Sequence, residues 1–485
     1  MAIRGVFDVV DGAFGLATTE TGGGAAAAGG EWVRNKAWPE LTEPTAGEQK
    51  VVGLYAVFPG DSAGLGNYFS MLCRGAYTVD YGDGSAAVNV ADNTRLDYTY
   101  DFDDTDLYDA TVTLTDAGDL VTRNDHGYSD GDRIQLYRIA GTTGVSEGQS
   151  YYVISSTANT FQLSLTEGGS AVTLTTNGTA ALLPYKIATV TITPQGGSNL
   201  TTVQFNQVHP SAANTSGCGW LDLAIAGGNI TTLAIGRSGV AMGSYLLERC
   251  QILSLGAITS MASLFNECRS LQDVSLPFSA TASVTNMSLM FSGCHMLKTA
   301  PPMNTSAVTT SMASMFLNCY SLENVPIYDT ALVTSMTSMF NACSSLRSVP
   351  FFNTASCTNF GSMLAGCYRL TTFPQFDTNQ ATLMANMFSN CFSLSEVPAI
   401  SCAGVTSSGQ MPAPVECKSL KRYLVTDINY SINLSNALML TATALNEIYT
   451  NLPTVIGQTI TVTGLAAAGS DDPTIASAKG WSVTG

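Results

Sequence analysis

The stretch Val333-Thr-Ser-Met336-Thr-Ser-Met339-Phe340-Asn-Ala-Cys343-Ser-Ser-Leu346 decides the fold, because close copies of it recur along the second half of the chain. The cysteines of successive copies are 26, 25, 24, 24 and 24 residues apart. A period of this length predicts a solenoid, in which one unit cannot bury its apolar face alone and must stack on its neighbours. The predicted repeat core comprises Phe265, Cys268, Met290, Phe291, Cys294, Met315, Phe316, Cys319, Met339, Phe340, Cys343, Met363, Cys367, Met387, Phe388 and Cys391.

Within each copy, the methionines, the aromatic residue and the cysteine follow the spacing i, i+3, i+4 and i+7. This spacing is typical of one face of a short helix, so we expect a helix in each repeat. Neighbouring helices lie roughly 8–10 Å apart, which exceeds the Cα separation that a disulfide tolerates, so a row of reduced, buried thiols is expected. A soft-metal or haem site would call for several histidines beside the cysteines or a CxxC motif, and these repeats contain no CxxC motif and a single histidine, His295.

Composition narrows the classes of function. The chain has 485 residues, of which 12% are charged, and its net charge is -17 with an isoelectric point near 4.4. The length predicts several structural units, and the acidic balance disfavours binding to nucleic acid or to anionic membranes. No apolar run approaches the roughly 20 residues of a membrane span, and the first residues lack the hydrophobic segment of a signal peptide, so we expect neither membrane insertion nor classical export.

The first half has the pattern of β-structure. Tyr77–Asp80 alternates apolar and polar residues before a Gly-Asp-Gly turn, and Ile187–Ile192 and Leu221–Ile225 fit later strands. Residues 1–50 contain the glycine-rich stretch Gly22–Gly30 followed by Trp32 and Trp38. Two interpretations stay open for this terminus: an arm that anchors the protein to a larger particle, or a disordered end whose tryptophans pack on the adjacent domain.

The repeat unit Val-Thr-x-Met-x-x-Met-Phe-x-x-Cys-x-x-Leu resembles the BspA-like leucine-rich repeat. Members of that family are bacterial surface or adhesion proteins and also occur among phage structural proteins. The resemblance implies an α/β leucine-rich-repeat solenoid over residues 241–425. Residues 426–485, which carry Leu445, Ile448 and Trp481, resemble the segment that closes such repeats and imply a C-terminal cap.

Two further resemblances concern the first half. Tyr81-Gly82-Asp83-Gly84 is similar to the Trp-Gly-Asp-Gly turn of PKD-like β-sandwich domains. The series His126-Gly127, Tyr151-Tyr152-Val153 and Thr160-Phe161-Gln162-Leu163 resembles a small β module of phage tail fibres and other virion proteins. Together they imply a multidomain chain, in which a PKD/Ig-like β-sandwich (51–112 and 184–240) carries an inserted β module (113–183) and precedes the solenoid.

Chemistry-bearing residues are few. His126 with Asp125, Asp130 or Asp132 is a candidate catalytic base with its orienting carboxylate, but the resemblance assigns this stretch to a structural turn and no activated nucleophile accompanies it. We therefore expect no catalytic residues and no cofactor. An acidic run is a candidate calcium site, although such runs are usually solvated loops: Asp101, Asp103, Asp104, Asp106 and Asp109.

The leading hypothesis is a non-enzymatic phage virion protein, a tail fibre or a head fibre or decoration protein, that displays the solenoid for adhesion to a host-surface glycan or protein. Tyr320, Tyr328 and Tyr368 are candidate contacts, the first half is expected to bind other virion proteins, and homo-oligomers are expected. A bacterial BspA-like adhesin is one alternative. A virion-borne polysaccharide depolymerase is another, and it would need paired carboxylates. The repeat acids occupy different repeat positions and therefore indicate surface loops: Glu267, Asp273, Glu323, Asp329, Asp377 and Glu396.

Overall fold

A computed structural model describes residues 8–10, 13–15, 32–59, 67–207, 209, 219–237, 244–309 and 311–485. The glycine-rich stretch Gly22–Gly30 lies outside the described residues. The described chain is mostly β-structure with few helices, and its second half is a stack of repeats.

The strands of the first half alternate buried and exposed residues where one face meets solvent, and are buried throughout where both faces are covered. In chain order they are β1 (Asp8–Val10), β2 (Ala13–Gly15), β3 (Lys50–Val57), β4 (Tyr68–Arg74), β5 (Tyr77–Asp80), β6 (Val88–Val90), β7 (Arg95–Thr99), β8 (Thr111–Thr115), β9 (Leu120–Thr122), β10 (Arg133–Gln135), β11 (Tyr137–Ala140), β12 (Ser150–Ile154), β13 (Thr160–Ser164), β14 (Gly178–Ala181), β15 (Lys186–Pro194), β16 (Thr202–Gln204), β17 (Trp220–Gly227), β18 (Thr232–Ala234), β19 (Arg249–Leu255) and β20 (Asp273–Ser275).

Strands β1 and β2 pair with each other, and strands β3 to β20 form three layers. The central sheet has the order β20-β19-β17-β3-β15-β5-β6, and a smaller sheet, β18-β16-β4-β7, packs on one of its faces around Tyr55, Phe69 and Trp220. The sheet β10-β12-β13-β9-β8-β14-β11 covers the other face together with residues 32–41. Both faces of β3 and β17 are therefore covered, which explains why almost every residue of these strands is buried.

The central sheet also continues into the solenoid. β19 pairs in parallel with β17 on one side and with β20, in the first repeat, on the other. A single hydrophobic core runs from Trp220 through the repeats to Trp481 near the C-terminus. Residues on both sides of the expected 240/241 boundary therefore share one sheet and one core.

The prediction of a helix in each repeat is wrong: between Met261 and Leu394 the described residues contain no α-helix. In the fourth copy, the amides of Ser338, Phe340 and Ala342 donate hydrogen bonds to carbonyls of the next repeat, whereas the intervening amides close tight turns with the residue three positions earlier. Two positions per copy have positive φ, such as 53° at Ser338 and 63° at Ala342. A chain that sends every second amide to its neighbour cannot form the i→i−4 bonds of an α-helix.

Side-chain ladders reinforce this stack. Each repeat cysteine is buried, and from Cys294 to Cys417 its Sγ donates to the carbonyl oxygen of the aromatic or leucine residue one repeat earlier, as in Cys343 to Phe316 O at 3.1 Å. Phe291, Phe316 and Phe340 stack in parallel at centroid distances of 5.5 and 5.6 Å. The eleven described cysteines, of the chain's twelve, form no disulfide with one another. Their occurrence once per repeat thus reflects a thiol-to-carbonyl ladder.

The predicted core positions are buried, with relative exposures of 0%. They are Phe265, Cys268, Met290, Phe291, Cys294, Met315, Phe316, Cys319, Met339, Phe340, Cys343, Met363, Cys367, Met387, Phe388 and Cys391.

The solenoid ends in a small α/β segment. Its elements are β21 (Glu396–Ser401), β22 (Arg422–Thr426), β23 (Ile432–Asn433), α1 (Ala442–Asn451), β24 (Gln458–Thr461), α2 (Thr474–Ser477) and β25 (Trp481–Thr484). Thr441 caps α1 by accepting a hydrogen bond from the Ala444 amide, and the Trp481 Nε1 donates to Pro453 O at 2.9 Å. Within the described residues, none of the helices has the length and apolar character needed to span a membrane.

Candidate functional site

The residue that directly follows each repeat cysteine lies on one edge of the solenoid. We call this set the post-cysteine row: Arg269, His295, Tyr320, Ser344, Tyr368, Phe392 and Lys418. Backbone hydrogen bonds keep the row in register. In several repeats, the amide of the residue that follows the row residue donates to the carbonyl of the row residue in the preceding repeat. Ser345 N thus donates to Tyr320 O, and Ser393 N to Tyr368 O.

The row contains two aromatic pairs. The His295 and Tyr320 rings have centroids 4.7 Å apart, and the Tyr368 and Phe392 rings are 5.0 Å apart with an interplanar angle of 8°. Tyr368 is 47% exposed and Phe392 is 40% exposed, whereas His295 is buried. Burial, with a smaller contribution from Arg269, lowers the pKa of His295, so its ring is neutral near pH 7.

Cations lie at both ends of the row. The Arg269 guanidinium lies 4.9 Å from the Tyr245 ring centroid, and the Lys418 ammonium lies 5.6 Å from that of Phe392. Both cations are also paired with carboxylates of the preceding turn, Glu267 and Glu416 respectively.

Further cations lie within four residues after a repeat cysteine, close to the row positions in the sequence. Lys298, Arg347, Arg369 and Lys421 are exposed, and none has an ion-pair partner in the part of the chain that the structure describes. Glu323 is the exposed acid among them. This edge of an otherwise strongly acidic protein thus combines aromatic rings with an excess of positive charge.

The structure places the three tyrosines predicted to bind a partner in two different environments. Tyr320 and Tyr368 belong to the post-cysteine row. The prediction for Tyr328 is wrong, because its side chain is only 2% exposed and its hydroxyl donates to Pro301 O at 2.9 Å. Tyr328 shares its repeat position with the buried Phe352 and Phe376, and aligning those positions would have indicated a core residue.

Sequence reasoning missed five members of the row, namely Arg269, His295, Ser344, Phe392 and Lys418. Their shared position directly after the cysteine was a usable signal once the repeats were aligned. Their residue types vary, however, so no single chemical pattern marks the row in the sequence.

His126 lies in a packed environment. Its side chain is 2% exposed, its Nδ1 accepts a hydrogen bond from the Tyr128 amide at 3.0 Å, and its ring contacts Phe161. Burial lowers the pKa of His126. The charges of Arg123 and Lys36 lower it slightly further, and backbone hydrogen bonds raise it slightly. Two of the three carboxylates expected beside it have other partners: Asp132 binds Lys36 at 2.6 Å and Asp130 accepts from the Ser156 amide.

The acidic run at 101–109 forms turns that bind its own backbone. Asp101 accepts from the Asp103 amide and Asp104 from the Asp106 amide, while Asp109 pairs with Arg138 at 2.6 Å. Within the described ranges, no group of three or more His, Cys, Asp or Glu side chains is arranged to hold a metal ion.

The repeat acids considered for hydrolysis are engaged separately. Glu267 binds Arg269, Asp273 lies 3.7 Å from Arg249, and Glu396 lies 3.3 Å from Arg422. Asp329 and Asp377 accept hydrogen bonds from the amides of Ala331 and Asn379 in their own turns. Glu323 is exposed.

A second polar cluster lies where the sheets of the first half meet the solenoid. The fully buried Asp222 binds Arg34 at 2.5 Å and Arg249 at 3.4 Å, and Glu248 accepts from Trp32 Nε1 at 3.3 Å. Burial raises the pKa of Glu248 to about 7. These contacts hold the segment around Trp32 and Arg34 against β17 and the start of the solenoid, so here the tryptophans of the N-terminal region pack on the folded chain.

The repeats match one protein family. The family model described as a Mycoplasma protein of unknown function, DUF285, matches residues 251–346 and 310–411, which together span about a third of the chain. No curated protein matches this chain. The repeat segment that carries the post-cysteine row is therefore similar to the Mycoplasma family DUF285, whose function is unknown.

Proposed function

We propose that this chain is a non-enzymatic structural protein of a phage virion, either a tail fibre or a head fibre or decoration protein, and that its solenoid adheres to a glycan or protein of the host surface. The observation that carries the adhesion proposal is the post-cysteine row. Exposed aromatic side chains at a fixed spacing, beside unpaired cations, are a combination enriched where proteins bind partners.

The organisation of the first half supports the virion part of the proposal. Its layered sheets are compatible with a PKD-like sandwich that carries an inserted module of the tail-fibre type, followed by a BspA-like repeat solenoid and a cap. In this proposal the first half binds other virion proteins. Homo-oligomerisation presents several solenoids at once, and multivalency then raises the avidity of weak individual sites.

Rigidity of the stack suits adhesion. The backbone ladder and the continuous core hold the row residues in place before a partner arrives, so little conformational entropy is lost on binding. The Tyr368 and Phe392 rings also restrain each other by stacking.

The test combines localisation with binding. Immunogold labelling of phage particles with an antibody against residues 245–425 is expected to mark a fibre or the capsid surface. The purified full-length chain is expected to bind host cells saturably, and Tyr368→Ala is expected to weaken that binding at least tenfold.

The matched control is Phe351→Ala, because Phe351 is 62% exposed on the solenoid but lies outside the row. This variant is expected to bind host cells like the wild type. Unlabelled particles would overturn the virion assignment, and an equal loss of binding in both variants would overturn the role of the row.

A bacterial cell-surface adhesin is the second candidate. The similarity of residues 251–411 to a family described from Mycoplasma favours it, since Mycoplasma is a bacterium. Antibody label on the bacterial envelope, with none on phage particles, would support this candidate over the first.

A further inference from the structure

The two aromatic pairs of the post-cysteine row are separated by one small residue. Ser344 occupies the position between Tyr320 and Tyr368, and no ring contact joins these two tyrosines across it within the described residues. The Tyr320 ring lies against His295 at an interplanar angle of 32°, and the Tyr368 ring stacks on Phe392, so each tyrosine contacts the ring of the neighbouring repeat that lies away from Ser344. We call this gap the Ser344 slot.

The width of the slot follows from the repeat spacing. Backbones paired in parallel lie about 4.8 Å apart, so Tyr320 and Tyr368, two repeats apart, are separated by roughly 10 Å. A flat aromatic guest that touches both rings needs only roughly 7–8 Å. A pyranose ring is thicker, because its carbons pucker and its C–H bonds project from both faces, and it therefore suits the slot better.

The floor of the slot is polar but already satisfied. Ser344 Oγ donates to the Tyr320 carbonyl at 3.1 Å, which turns this short side chain back onto the backbone. Aromatic faces carry partial negative charge and attract the partially positive C–H groups of a sugar ring.

Charge beside the slot selects among sugars. Arg347 follows Ser344 in the same repeat and Arg369 follows Tyr368 directly; both are exposed and without an ion-pair partner in the described part of the chain. Glu323 is the acid of the neighbouring repeat. A guanidinium binds a carboxylate in a bidentate manner that a neutral sugar cannot match.

We propose that the Ser344 slot binds one pyranose ring of an acidic polysaccharide, with Tyr320 and Tyr368 on its two faces and Arg347 and Arg369 contacting its carboxylate. This inference rests on the proposed adhesion function and names its ligand class. It makes Ser344 a specificity-determining position, because a large side chain there would complete the aromatic row and close the slot.

The test uses the full-length protein and a fluorescent hexamer of galacturonic acid, with a neutral galactose hexamer of the same length for comparison. Tyrosine already occupies the equivalent row positions 320 and 368. The Ser344→Tyr variant is therefore expected to fold, with an unchanged or raised melting temperature. Its affinity for the uronate hexamer is expected to fall at least tenfold.

Two further variants sharpen the test. Ala355→Tyr adds the same side chain at an exposed solenoid position outside the row and is expected to bind like the wild type. The double variant Arg347→Gln, Arg369→Gln is expected to bind the uronate hexamer at least tenfold more weakly and to abolish the preference over the neutral hexamer.

The outcomes separate the two proposals. Wild-type affinity in a folded Ser344→Tyr variant would overturn the slot, and so would an absence of uronate binding by a wild-type protein that still binds host cells. An absence of cell binding by the wild type would overturn the proposed function itself.

Discussion

Replacing Phe340 by alanine tests the physical basis of the repeat core. The Phe340 ring is fully buried, and it stacks on Phe316 at 5.6 Å and on Phe352 at 6.1 Å. Truncating a buried phenylalanine to alanine typically costs about 3–5 kcal/mol, and two lost aromatic contacts place this site in the upper half of that range. We therefore expect Phe340→Ala to lower the free energy of unfolding by about 4 kcal/mol.

The chain itself supplies the control. Leu364 occupies the same position one repeat later and is also fully buried. Phe340→Leu keeps most of the buried volume and should cost less than about 1.5 kcal/mol.

The assay is equilibrium urea unfolding followed by tryptophan fluorescence, which is informative because Trp220 and Trp481 share a core with Phe340. The comparison requires that the dependence on urea concentration stays unchanged among the variants. A loss below about 1 kcal/mol for Phe340→Ala, or equal losses for both variants, would refute the assignment of this ring to the stacked core.

Three other predictions concern the junction, the thiols and the turns. Burial raises the pKa of Glu248 from 4.5 to about 7, so the stability that this carboxyl contributes is present below pH 4.5 and is lost as pH rises through 7. From pH 5 to 8, the free energy of unfolding of the wild type should therefore fall by about 2–3 kcal/mol relative to that of Glu248→Gln, as urea unfolding at each pH would measure. Burial raises the pKa of the Cys343 thiol, so iodoacetamide at pH 8 should label this cysteine only after unfolding, as mass spectrometry of the labelled peptides would report. Ala342 has a φ of 63°, and glycine occupies the equivalent positions 293 and 366 of two other repeats. Ala342→Gly should therefore raise the free energy of unfolding by about 1 kcal/mol, as thermal unfolding would measure.

Each of these has an outcome that contradicts it. A pH-independent difference between the wild type and Glu248→Gln would mean that the carboxyl is not buried at the junction. The histidines act in the opposite direction, since a lowered pKa makes stability fall as pH decreases, but they are common to both proteins and cancel. Labelling of native Cys343, or destabilisation by Ala342→Gly, would refute the ladder and the turn geometry respectively.

Much of the core was readable from the sequence. Residues that recur at a fixed period with the same apolar character identify the inside of a repeat, whatever the backbone conformation, because each copy must bury the same face against its neighbours. Phe265, Phe291, Phe316 and Phe340 were found in this way. The strands Tyr77–Asp80 and Lys186–Pro194 likewise lie on stretches whose alternating pattern predicted them.

The helix prediction failed for a physical reason. The spacing i, i+3, i+4 and i+7 describes one face of a helix, but a series of tight turns that bond alternately within and between repeats buries the same positions. At Ser338, Phe340 and Ala342 the amide partner belongs to the next repeat, and a single repeat read by itself does not contain that partner.

The sequence by itself therefore determined that this protein is a repeat stack, where its units lie and which side chains are buried. Only the tertiary structure decided the backbone conformation of the repeats, the continuation of the sheet from β17 into β19, and the alignment of Tyr320, Ser344 and Tyr368 on one edge of the solenoid. The reason is that burial follows from local composition repeated many times, whereas hydrogen-bond partners and shared surfaces are set by residues a full repeat or more apart in the chain.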